Sequence, residues 1–175
     1  MSENSKKKSS PKHKADHSSY TQKNPQDPTL LEEPASPAYW LGIGNTDLSK
    51  IQTEFDLMEL GNRGVSKDSL EKVIEHLGLS KRMMAEDILD ISVKTLERKD
   101  LHEKLDKRSS SHIIEIAKLI QHAYLVFKDK AKVKWWMNRE NDALEKKKPV
   151  SLMHSLTGIN LINDLLGRIE EGVYS

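Results

Sequence analysis

The chain has 175 residues, enough for one or two small domains, and its 28 basic and 27 acidic side chains leave a net charge of +1. That balance excludes a global polyelectrolyte field, so any nucleic-acid surface has to come from local clustering. The lack of cysteine removes disulfides, thiol nucleophiles and Cys-ligated zinc and agrees with a cytoplasmic location. No apolar run approaches the roughly 20 residues of a bilayer span, and the lysines at the N-terminus are not followed by the hydrophobic stretch of a signal peptide.

Residues 1–37 hold five of the six prolines and many Ser, Lys, Asn, Gln and His, with almost no large apolar side chains. Such a segment cannot bury enough surface to offset its ordering entropy and is predicted to be a disordered arm. Lys6, Lys7, Lys8, Lys12 and Lys14 make it basic, so it is either a solvated tail or an arm for phosphate contacts. Tyr39 to Gly44 is a short apolar patch, readable as a strand, a turn or an anchoring plug. From Asp47 onward the pattern is helical. Ile51, Phe55 and Met58 share a face, with Leu57 near it, and Gly61 to Gly64 reads as a turn. Ser66 is placed to cap a helix with Leu70, Val73, Ile74 and Leu77 inward, ending at Gly78.

Ser80 opens the next helix, with Met83, Met84, Ile88 and Leu89 inward. After a short break at Asp90-Ile91, Ser92 caps a helix from Val93 to Leu105 with Leu96 inward. Two helices with a tight break suggest a helix-turn-helix. The second helix of such a unit lays its first residues on base edges, which here are Ser92, Lys94, Thr95, Arg98 and Lys99. Asp87, Asp90, Glu97 and Asp100 bring negative charge close to that face, and the alternative is a helical bundle whose polar face is simply wet.

Ser109 to Ser111 form a cap cluster before the most strongly periodic helix, His112 to about Lys128. Its stripe of Ile113, Ile116, Ala117, Ile120, Ala123, Tyr124 and Phe127 is widened by Ile114, Leu119, Leu125 and Val126. A helix apolar on more than one side lies between layers or against another subunit, which puts it at the centre and makes it a possible dimerisation element. Lys128, Lys130, Lys132 and Lys134 then alternate toward Trp135 and Trp136. Adjacent tryptophans point about 100° apart on a helix, so one is expected in the core and the other half exposed for a partner. In the last helix Ile162, Leu165, Leu166, Ile169 and Val173 form one apolar face. Gly158 either lets two helices meet closely or ends the first, and Gly172 is placed as a C-terminal cap. Asp164, Arg168 and Glu171 have ion-pair spacing. No residues form a catalytic or metal-binding pattern: the seven histidines are scattered, and Glu170 and Glu171 do not face each other. The chain is therefore expected to be no enzyme and to need no cofactor or metal.

The C-terminal stretch resembles the toxin-binding domain of the MbcA/ParS/Xre antitoxins. The shared pattern comprises Trp136, Asn141, Ala143, Leu144, Pro149, Leu152, Gly158, Leu165, Leu166, Gly167, Arg168, Ile169, Glu170, Gly172, Val173 and Tyr174. It departs at Glu140, where a proline is usual, and at Glu145-Lys146, where a Gly-Gly-like pair is usual. Leu79-Ser80 and Ile91-Ser92-x-x-Thr95-Leu96-x-Arg98 are similar to the DNA-binding half of Xre-type antitoxins, with Asp90 at a turn position that is often glycine and Glu86 where a small alanine is usual. The resemblance implies an all-α chain: arm 1–37, helix-turn-helix domain 38–111, connecting helix 112–134 and toxin-binding domain 135–175. It implies a type II antitoxin that neutralises a NAD-consuming RES-domain toxin, binds operator DNA to repress its own operon, and forms a homodimer. Trp135 and Trp136 would dock on the toxin, and Arg168, Glu171, Gly172, Val173, Tyr174 and Ser175 would enter its pocket. The alternatives are that Val173 and Tyr174 close the domain's own core, or that the protein is a stand-alone regulator whose C-terminal domain only dimerises.

Overall fold

The computed structural model describes residues 1, 36–44, 51 and 53–172. Residues 2–35 of the arm, the start of the helical pattern at Asp47 and the terminal Val173, Tyr174 and Ser175 lie outside the described residues, and the arm's expected last residues, Ser36 and Pro37, already belong to the first helix and its cap. The protein is all-α, and the described residues hold isolated β-bridges at Ser66–Lys104 and Asn141–Lys147 but no strand.

The apolar patch after the arm is a plug. Ser36 caps a single turn, α1 (Pro37–Trp40), which Pro37 starts from its first position. Trp40 is 1 % exposed, with its ring 4.8 Å from His76 and 5.7 Å from Tyr124. Helix α2 (Glu54–Arg63) begins at a reciprocal capping box between Thr53 and Asp56. It buries Leu57 and Gly61, whereas Phe55 and Met58 are 78 % and 58 % exposed. Of the face expected inward, Phe55 and Met58 thus point outward, while Ile51 packs against the core. Gly61 lies within the helix rather than in a turn, and its missing side chain lets Ser111 and Ile114 of the central helix approach. Helix α3 (Lys67–Leu77) keeps its expected cap, its four inward residues and a left-handed Gly78.

The next segment departs from regular helix. A π-helical turn, α4 (Met83–Ile88), carries the bonds Leu89 N–H to Met84 C=O and Ile91 N–H to Ala85 C=O. This wider turn swings Met83 outward and Ala85 into the core, leaving Glu86 in solvent. The alanine displaced in the sequence thereby regains a buried position. Helix α5 (Val93–Glu97) is one turn long rather than reaching Leu105.

The central helix, α6 (Lys107–Phe127), starts five residues before the expected His112, because Asp106 caps it and the serines belong to its first turns. It packs against α1, α2, α7 (Lys130–Met137) and α9 (Leu156–Glu170). Its side chains join one hydrophobic cluster that runs from Trp40 to Leu166. Buried Ser110 accepts a hydrogen bond from Val65 N–H at 3.0 Å and donates to the Leu105 carbonyl at 3.3 Å, fixing the loop between α5 and α6.

Candidate functional site

The C-terminal unit places α7 and α9 on α6, with a short helix between them in the chain. Lys128, in left-handed conformation, ends α6, and Asp129 at once caps α7 by accepting from Ala131 and Lys132 N–H. A 3₁₀ turn (Asp142–Leu144) follows, capped by Asn141, with Glu145 and Lys146 at positive φ. Those are the positions where the sequence departs from a Gly-Gly-like pair, and the left-handed backbone is retained without glycine. Pro149 opens α8 (Pro149–Leu152). Ser155 caps α9 by accepting from Gly158 N–H. Gly158 lets α8 and α9 meet closely: a Cβ there would lie 1.8 Å from the Leu152 carbonyl oxygen.

Two histidines set aside as scattered hold this unit to the central helix. His112 Nε2 donates to the Met153 carbonyl at 2.6 Å, which requires the proton on Nε2. His122 Nδ1 pairs with Asn163 Oδ1 at 2.9 Å, and its Nε2 lies 3.8 Å from Glu170. Both sit on α6, ten residues apart, and what the sequence does not show is the partner each finds on the segment after α7.

Of the residues expected to meet a partner, Trp136 is half-buried against Phe127, with ring centres 5.4 Å apart. Trp135 is 59 % exposed beneath the Arg139 guanidinium. Arg168 and Glu171 are exposed at the end of α9, and Gly172 follows with φ +72°, donating its N–H to the Ile169 carbonyl. Gly172 thus closes the helix as expected. The expected ion pairing does not form: among the described residues no ion pair joins Arg168 to Asp164 or Glu171. α7, which carries Trp135, and α9 both pack on α6, and α8 packs on each of them.

At the other end, Asp90 makes the tight break with φ 55°, doing without glycine. Ser92 stands at the start of α5 without a side-chain cap bond. Ser92, Lys94, Thr95, Glu97 and Arg98 line a shallow surface depression. Lys99 does not join them: its ammonium pairs with Glu103 and donates to the Lys104 carbonyl at 3.3 Å. A residue absent from the sequence reading positions the helix. Lys67 is nearly buried, and its ammonium donates to the carbonyls of Glu97 at 3.3 Å and Lys99 at 2.7 Å, the negative end of α5. No sequence signal marks it, since a lysine at the start of α3 reads as surface.

Among the described residues no three His, Asp or Glu side chains converge on a metal position, and no helix is long and apolar enough to cross a membrane. Residues 122–172 match the family model described as the antitoxin Xre/MbcA/ParS C-terminal toxin-binding domain. No curated protein matches the chain.

Proposed function

We propose that this chain, whose residues 122–172 match the Xre/MbcA/ParS C-terminal toxin-binding domain, is an antitoxin that neutralises a RES-domain, NAD-degrading toxin of a type II pair in the cytoplasm. It acts by occupation rather than catalysis. The C-terminal domain docks on the toxin, and the segment Arg168, Glu171, Gly172, Val173, Tyr174 and Ser175 blocks the toxin's pocket against NAD. The observation that carries this reading is the end of α9. Arg168 and Glu171 stand in solvent, and the left-handed Gly172 turns the chain off the helix axis there. Arg168, without an ion pair among the described residues, can meet a carboxylate, and Tyr174 offers an apolar ring with a hydrogen-bonding tip. Deleting residues 172–175 and co-expressing the protein with the RES-domain product of the neighbouring gene tests it. The truncated protein should lose protection and cellular NAD should fall; undiminished protection would overturn the blocking mechanism.

We also propose that α5 binds operator DNA and that a homodimer presents two copies of it to a palindromic site, repressing the operon. The exposed Lys94, Thr95 and Arg98 beside the Asp90 break support this. Replacing Lys94 and Arg98 by alanine should weaken binding of the upstream promoter fragment and reduce its salt dependence; unchanged binding removes the assignment. A stand-alone regulator with a dimerising C-terminal domain would instead show no tight protein partner.

A further inference from the structure

The region around α7 carries a charge excess that the whole chain does not. Residues 128–148 hold eight basic and four acidic side chains, against a net charge of +1 overall. Three of those acids are engaged: Asp129 caps α7, Asp142 pairs with Lys146 at 3.5 Å, and Glu145 pairs with Lys147 at 2.8 Å. Two of the cations without an ion pair among the described residues flank Trp135. Exposed Ala131 and Lys132 sit one turn before it on the same face of α7. The Arg139 guanidinium sits 4.5 Å from its ring centroid. Among the described residues neither Lys132 nor Arg139 has an ion pair. Trp136, the tryptophan of the shared family pattern, packs instead on Phe127.

An indole left in water is a cost the fold does not need, since the core closes through Val133 and Met137 on the other side of α7. Stacking by Arg139 favours one orientation of the ring before any partner arrives, which lowers the ordering cost of docking. Tryptophan and arginine are also the side chains that most often dominate an interface. We infer that the face formed by Lys132, Trp135 and Arg139 is an anchor for an acidic, slotted surface on the toxin. Trp135 fills the apolar slot. Arg139, still stacked on the ring, donates to a carboxylate at its rim, and Lys132 faces a second acidic group. Single-stranded nucleic acid is the other polyanion that basic and aromatic side chains attract, but Arg139 already covers a ring face on which a base would stack.

The inference rests on the toxin reading above and separates attachment from blocking. The test uses the full-length protein and the purified RES-domain product of the neighbouring gene, with affinity measured by calorimetry at low and high salt. Trp135→Ala should weaken the complex by roughly thirtyfold or more, with little change in melting temperature because the ring is exposed. Arg139→Gln should weaken it less and flatten its salt dependence. Deletion of residues 172–175 should leave most of the affinity in place while abolishing inhibition. Both point variants binding the toxin like the wild type would overturn the anchor, as would a loss seen only in a parallel titration with a single-stranded oligonucleotide. If the wild type itself fails to bind the toxin, the toxin reading falls and the anchor with it.

Discussion

Two glycines on α9 give the same substitution opposite signs. At Gly158 an added Cβ would lie 1.8 Å from the Leu152 carbonyl oxygen and 2.8 Å from its carbon, against an ordinary carbon-to-carbonyl-oxygen approach of about 3.3 Å. The obstacle is backbone, so no side-chain rotation relieves it, and α8 must move off α9. Overpacking of this kind costs about 3 kcal/mol, and for a chain of this size each kcal/mol lowers the melting temperature by roughly 2–4 °C. Gly158→Ala should therefore melt roughly 6–12 °C below the wild type. At Gly167 nothing among the described residues lies within 4 Å of an added Cβ, and alanine is the better helix former by about 0.5–1 kcal/mol. Gly167→Ala should melt about 1–4 °C higher. Thermal unfolding followed by circular dichroism reads both. If Gly158→Ala melts within a degree or two of the wild type, close approach of α8 and α9 is not what this glycine secures. If Gly167→Ala melts lower, something covers that face of the helix.

The remaining predictions concern other parts of the fold. His76 stacks on Tyr39 and meets Trp40 edge-on; burial, reinforced by Lys130 and partly opposed by Glu75, holds its imidazole below the ordinary value of 6.5. The fold prefers the neutral ring, so this contribution is complete above pH 6.5 and is lost as pH falls through the lowered folded value. Melting temperature should drop on acidification through that range, and His76→Phe should flatten the profile; equal profiles would contradict the account. Ser110→Ala leaves the buried Val65 N–H without its partner and should cost about 1–3 kcal/mol in urea unfolding. Lys67→Met uncaps the carbonyls at the end of α5, so it should cost about 1–3 kcal/mol and weaken promoter binding without removing any charge from the exposed face of α5. Unchanged promoter affinity in that variant would argue against a placed α5 as the DNA contact.

The all-α class came with the family resemblance, the core faces of α3, α6 and α9 as far as Leu166 came from periodicity, and the caps at Ser66, Gly78 and Gly172 from local residue chemistry. The faces and caps are local properties: a helical repeat, a polar side chain next to free backbone N–H groups, and a residue that tolerates left-handed φ. Packing decided the rest. Phe55, Met58 and Leu57 are all apolar and adjacent, and only the position of α6 makes Leu57 the buried one. A displaced alanine near Glu86 reads as a defect until the π-turn carries Ala85 back into the core. His112 and His122 read as isolated until α8 and α9 present the Met153 carbonyl and Asn163 to them, and Lys67 reads as surface until α5 sets two carbonyls against its ammonium. A single chain written in order fixes which residues can be helical and which way each helix is greasy. Which of two greasy faces is covered, and which polar group finds a partner tens of residues away, depends on distances in space that sequence separation does not encode.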